Sequence, residues 1–354
     1  LSAVKVLTAG THLGDEMSRM TEARIVSGGS AASPVQHQPS KTALWAMLAI
    51  APEPDREDAG DEIVRHIVTP LSGQAKNWGA YRFGFSRGAE SENSAINLHL
   101  RATDDVVQRV WAFAHALGDE NIAKLGTLKF THSPNIVYPP RPGEPVPELV
   151  EASFARFGGP EGLKLVDEVS ELSADLAMWA VNRFPAVNMR SMLATLLLFD
   201  TGHALMRGPR SSLWHDRRST SWDFYWTTHL HGCAASFGPG AEQARNTMAD
   251  RLAPRIVPTH RVMAAVASEP SVDIWRRRWT HAIDLYLYRA DKQRISRGAR
   301  QLAMGVGRML LNRIGISLKE EAVLGIYAHA WSQDIEAQLT GEAHSPQQSK
   351  PGRK

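Results

Sequence analysis

Cysteine is almost absent, with one residue, Cys233, in a chain of 354. An internal disulfide is therefore impossible, and so thiol-poor a chain fits a reducing cytoplasm, the expected localisation. Long apolar runs are also missing. The best, Met192–Phe199, stops at Asp200, well short of the roughly 20 residues that cross a bilayer. The N-terminus lacks a charged segment followed by a long apolar one, so neither export nor a membrane partner is expected. Aromatic residues are only 7% of the chain, with 22% charged and 43% hydrophobic, which excludes wholesale disorder, collagen and coiled-coil fibre. Charge of one sign is scarce overall, since the formal net is +3. Its distribution is uneven: twelve Arg/Lys face four Asp/Glu between Arg251 and Leu310, an excess that suits an acidic visitor.

What is there divides into an arm, a core and a tail. Residues 1–40 alternate weakly and end in a Gly/Ser/Ala/Pro/Gln stretch that buries little, so they read as an N-terminal arm and linker. Residues 341–354 are polar and read as a disordered tail. Between them, 41–340 reads as one catalytic-size domain, sheet-rich over 41–147 and helical over 148–340. Residues 43–50 form a short apolar run that suits a buried strand. The spacing predicts a helix over 58–68 ended by Pro70. Residues 79–85 and 95–101 alternate as a hairpin pair, with Ile96, Leu98 and Leu100 on one face and Asn97, His99 and Arg101 on the other. Thr103 opens a helix through Ala114, and 127–131 and 136–138 add strands before a proline-rich loop, 139–147. Helical periods then cover 162–184, 189–206, 221–231, 241–252, 274–288, 295–313 and 319–339. The fold class is α+β: a small mixed or antiparallel sheet in the first half, packed by a predominantly helical second half.

Several motifs dissolve on inspection. Gly84, Ser86 and Gly88 spell G-x-S-x-G, but a polar loop and a second strand follow, not the strand-to-helix turn that lifts a nucleophile. His229, His231 and Cys233 invite a metal, yet in a helix i and i+2 diverge by roughly 200°, and no further ligand cluster completes a set, so no metal is expected. Gly305 and Gly307 sit in a helical pattern with no strand before them, which disfavours a phosphate loop. Basic and aromatic residues interleave around Trp275, Trp279, Tyr286 and Tyr288, but no nucleic-acid module accompanies them, and no nucleic-acid partner is expected. Two features remain. Trp279, Ile283 and Tyr286 share a helix face, either as core stripe or as pocket wall. His99 and Arg101 share the face of a probable interior strand, costly unless they pair or line a cleft.

The order of these features resembles a family, the thiopeptide-type bacteriocin biosynthesis domain, related to the glutamate-elimination domain of lanthipeptide dehydratases. Residues 43–50 look like its opening strand. Trp78 to Phe83, followed by Asn97 to Arg101, is similar to its W-x-x-x-R-Y and H-L-R-L-R pair. Ser153 to Glu161 looks like E-R-Y-G-G-x-E, with Arg156 at the arginine. Gly307 to Gly315 resembles the terminal H-M-H-x-N-R-L-x-G helix. The resemblance spans 41 to about 330 and implies the elimination-domain fold, with a cleft between sheet and helices. Its departures are informative. Arg308 and Leu310 stand where the terminal helix supplies histidine, and His99 stands where an arginine is expected.

Elimination needs a base for the α-proton, and loss of that histidine makes the chain resemble the pyridine synthase branch. The resemblance then implies a formal 4+2 aza-cycloaddition between two dehydroalanines of a linear, azole-rich precursor peptide, with loss of water and of the leader as an amide. Such a reaction requires no cofactor. Tyr286 and Thr280 are expected as hydrogen-bonding groups, His99 as proton shuttle beside Arg101, and Trp179 and Trp279 as azole-stacking walls. Arg308 would occupy the vacated histidine site, and Arg156, Tyr288, Arg276 and Arg278 would help hold substrate. The partner is the modified precursor, an acidic leader plus an azole-rich core, acting on a monomer or homodimer. Two alternatives stay open: a stand-alone glutamate-elimination lyase and a non-catalytic precursor-binding protein.

Overall fold

The computed structural model describes residues 43–53, 59–88, 95–136, 148–214, 217 and 220–344. The expected arm (1–40), the proline-rich loop (139–147) and residues 345–354 of the tail lie outside them. The first elements are β1 (Leu44–Glu53), α1 (Ala59–Ile63), α2 (Thr69–Asn77), β2 (Arg82–Arg87), β3 (Ile96–Ala102), α3 (Asp104–Glu120), α4 (Ile122–Leu125) and β4 (Thr127–Ile136). The strands form one antiparallel sheet in the order β2-β3-β1-β4. Side chains alternate across a strand, so register decides the faces. Leu48 opposes Leu98, Ala46 opposes Leu100, and Phe83 and Phe85 oppose Leu100 and Leu98. These residues are buried in one core with Ile63, Ile67, Leu71, Val110 and Trp111 of the neighbouring helical segments. The opposite face carries Met47, Asn97, His99, Ser86 and the exposed Arg101.

Pro70 does not end the first helix. A π-helical turn (Val64–Val68) joins α1 to α2 without a break, and Pro70 falls in the first turn of α2 just past it, at the kind of ladder irregularity that accompanies a missing proline N–H. The two expected strands after residue 127 are one strand to Ile136, with 137–138 outside the described residues.

The helical half comprises α5 (Glu148–Phe157), α6 (Gly159–Arg183), α7 (Val187–Arg207), α8 (Trp222–Ala234), α9 (Ala241–Leu252), α10 (Ile256–Ala267), α11 (Pro270–Lys292), α12 (Ala299–Ile314), α13 (Leu318–His329) and α14 (Gln333–His344). Buried residues fall on every side of α7, including Leu193, Leu196, Leu197, Leu198 and Phe199, as a central helix requires. α11, α12, α13 and α10 pack around it, and α6 and α12 lean on β2. No described helix is long and apolar enough to cross a membrane. The expected helix over 319–339 is two helices, because Ala330 and Trp331 interrupt it, and α14 carries the chain on through Gly341 to His344, four residues of the expected tail. α10 is not among the expected helices.

Ion pairs tie the two halves. Asp61 of α1 accepts from Arg87 of β2 at 2.6 Å and from the buried Arg190 of α7. Arg313 of α12 is buried and donates to the Phe85 carbonyl of β2 and to Ser170 and Ser173 of α6. Gly315 closes α12 at φ 91°, where an added Cβ would meet the Arg87 guanidinium at 3.0 Å. Only glycine takes that conformation without strain.

Candidate functional site

α11 has three differently used faces. One packs on α7: Trp279 is fully buried and its indole N–H donates to Thr201 Oγ1 at 2.9 Å. Beside it Arg276 donates to both oxygens of Asp200, at 2.8 and 2.9 Å, and also to Glu336. A second face buries Asp284 against Arg210 and Arg217. The third turns to α6 and encloses a cavity of about 240 Å³. Leu165, Val169 and Leu172 line it from α6, and Ala282, Leu285 and Tyr286 from α11, with Glu168, Arg278, His281 and Arg289 among its polar residues. Arg289 and Glu168 form a half-exposed ion pair at 2.6 Å. Aromatic surface continues along this seam, where Trp179 lies 5.6 Å from Trp275 between ring centroids and Arg278 stacks over the Trp275 ring at 4.7 Å.

Tyr286 is the unusual member. The residue is 3% exposed, and among the described residues its hydroxyl is buried with no hydrogen-bond partner. Leaving such a group unpaired costs about 1–3 kcal/mol, a cost that a purely structural position would shed by becoming phenylalanine. Burial pushes its acidity down, so its pKa lies above the ordinary tyrosine value. The group is thus a neutral O–H donor throughout the working pH range.

His99 sits elsewhere, on the face of β3 opposite Leu98 and Leu100. Its Nε2 lies 3.3 Å from Ser86 Oγ. Burial, then the positive charge of Arg313, lowers its pKa to about 4, so it is neutral at pH 7. Arg101 is exposed on the same strand face and acts at a distance on Asp167 of α6. Burial raises the Asp167 carboxyl to about 6, against the pull of Arg82 and Arg101. The neutral His99 imidazole can donate or accept a hydrogen bond but takes up a proton only well below pH 7, whereas the Asp167 carboxyl is the group poised near neutrality.

Arg308 occupies a third environment. From α12 its Nε donates to Glu321 Oε2 of α13 at 3.3 Å and its Nη2 reaches Cys233 Sγ of α8 at 3.4 Å. Arg156 of α5 is its electrostatic neighbour, and desolvation together with the Arg308 charge depresses the Arg156 guanidinium.

Tyr286, His99 and Arg308, all expected to act on one substrate, each meet a different set of partners among the described residues. Tyr286 and Arg278 come together in the cavity, and Trp179 joins them through Trp275. Thr280 is directed otherwise, donating to the Arg276 carbonyl one turn back at 2.9 Å. Trp279 and Arg276 are committed to α7, so neither faces substrate. Tyr288 is flanked by Arg210 and Lys292, 5.9 and 5.8 Å from its ring. Sequence reasoning missed Glu168, His281 and Arg289. The stripes were visible, with Leu165, Val169 and Leu172 at i, i+4 and i+7, but nothing in the sequence pairs α6 with α11.

The profile of the family described as lantibiotic biosynthesis dehydratase, C-terminal, matches residues 45–332. No curated protein matches the chain. Among solved structures, the pyridine synthase TbtD from thiomuracin biosynthesis is similar at a TM-score of 0.53 and 16% identity, covering 84% of this chain and 99% of that one. TsrL is similar at 0.54 and 14% identity, over 84% and 98%. The tRNA-dependent lantibiotic dehydratase MibB from Microbispora sp. 107891 gives 0.47 and 16% identity, over 86% of this chain and 29% of that one. At such identities the likeness is one of fold.

Proposed function

The chain belongs to the lantibiotic biosynthesis dehydratase C-terminal family, and from that premise we propose that it is a pyridine synthase. Its substrate is a linear precursor peptide bearing two dehydroalanines. One supplies the alkene, and the other, with its neighbouring amide as the iminol, supplies a 2-azadiene. Two carbon–carbon bonds form, between the alkene carbons and the two carbon ends of the azadiene (the dehydroalanine methylene and the iminol carbon), and close a six-membered ring in a formal 4+2 step. Loss of water and of the leader peptide as a carboxamide then makes the ring aromatic.

One observation carries this reading: Tyr286 lines an apolar cavity, and its buried hydroxyl has no hydrogen-bond partner among the described residues. The iminol step needs a donor to the amide oxygen and an acceptor for the amide N–H. Tyr286 is the donor, and His281 or Glu168 is within the same cavity to accept. The cavity is large enough for flat rings of the core peptide, and the Trp179–Trp275 seam extends it. Bringing two distant olefins together is the main contribution, since orientation alone supplies ~7–11 kcal/mol of barrier reduction. The fold it shares with TbtD and the replacement of histidine by Arg308 and Leu310 support the same branch over elimination.

The test is incubation of the full chain with a synthetic bisdehydroalanine peptide, read by mass spectrometry. A pyridine synthase releases water and a leader carboxamide. Loss of glutamate from a glutamylated substrate would instead mark a lyase, and unchanged peptide bound to the protein would mark a binding partner.

A further inference from the structure

We propose that His229, Cys233 and Glu321 form a binding site for a divalent transition-metal ion of the zinc class, distinct from the cavity described above and independent of the cycloaddition. His229 and Cys233 are one turn apart on α8, so they share a face, while His231 turns away to meet Arg245. The third ligand comes from 88 residues downstream, on α13. One donor atom from each of the three lies within 4.8 Å of the others, and all three residues are buried. Nε2 of His229 is 3.0 Å from Glu321 Oε1 and 3.9 Å from Cys233 Sγ. A tetrahedral ion with ordinary zinc bond lengths would set these separations at about 3.4 and 3.6 Å. Shifts of a few tenths of an ångström complete the geometry.

The surroundings fit an ion. Gly325 of α13 lies against the imidazole, where an added Cβ would come within 2.7 Å of Nδ1. Arg308 reaches both anionic ligands from outside, at the second carboxylate oxygen and at the sulfur, as an outer-shell donor does. Its side chain is 38% exposed, which leaves an approach from solvent. A mixed nitrogen, sulfur and oxygen set selects zinc or cobalt over magnesium or calcium. Binding deprotonates the Cys233 thiol and releases its proton to solvent.

Cobalt(II) titrated into chelator-treated full-length protein is the test. One equivalent should produce tetrahedral visible bands and a thiolate-to-cobalt charge-transfer band, both erased by zinc. Cys233→Ser should remove the charge-transfer band, and Glu321→Gln should weaken zinc binding by more than the roughly 10–100-fold that an outer-shell contact is worth. Zinc should also raise the unfolding temperature of the unaltered protein reversibly with chelator, a readout that survives if a variant fails to fold. The proposal is overturned if a hundredfold excess of cobalt gives no thiolate band, or if that band persists in Cys233→Ser.

Discussion

Replacing Tyr286 by phenylalanine separates stability from activity. The substitution deletes one buried hydroxyl that has no partner among the described residues and leaves the ring in its packing. Relief of that unpaired group is worth about 1–3 kcal/mol. With about 2.1 cal/mol/K per residue of unfolding entropy over roughly 300 ordered residues, each kcal/mol shifts the melting temperature by about 1.6 °C. Tyr286→Phe should therefore melt about 2–5 °C higher in a calorimetric scan. Turnover of a bisdehydroalanine peptide should fall by about 10²–10³-fold, the effect of removing one transition-state donor. A higher melting temperature with full turnover would show the hydroxyl to be idle. A lower one would show that it has a structural partner, and the reasoning would fail at its first step.

Other substitutions test the rest of the framework. His99 has an ordinary pKa of 6.5 and a folded value of about 4, so the unfolded chain binds one more proton between those values. Stability should fall by up to about 1.4 kcal/mol per pH unit as pH drops through that window, and His99→Gln should flatten this limb in urea titrations. Asp167 is displaced upward from 3.8 to about 6, so Asp167→Asn should add about 1 kcal/mol at pH 8, a gain that fades as pH falls through that window and is small at pH 3, measured the same way. Asp61→Ala strands Arg190, which is 2% exposed, and should cost about 3–5 kcal/mol; a loss under 1 kcal/mol would mean water satisfies that guanidinium. Gly315→Ala should cost about 1–2 kcal/mol, through left-handed strain and crowding of Arg87.

By itself the sequence determined the elements and their class. Alternation in 96–101 placed His99 and Arg101 on one face, and 3.6-residue periods located α6, α7, α9 and α11 within a few residues, because such patterns are local consequences of backbone geometry. The resemblance carried by 78–83, 97–101, 153–161 and 307–315 pointed to the family. Tertiary structure alone decided which faces meet. Trp279 looked the same as Tyr286 along the helix, yet one packs on α7 and the other lines the cavity against α6, a difference set by helices remote in the chain. Arg276 read as a free cation until Asp200 and Glu336 reached it. Cys233 and Glu321 acquired a common purpose only when α8 and α13 packed. Chemistry at a site depends on separations of a few ångströms between residues remote in the chain, and periodicity along one helix carries no information about its neighbour.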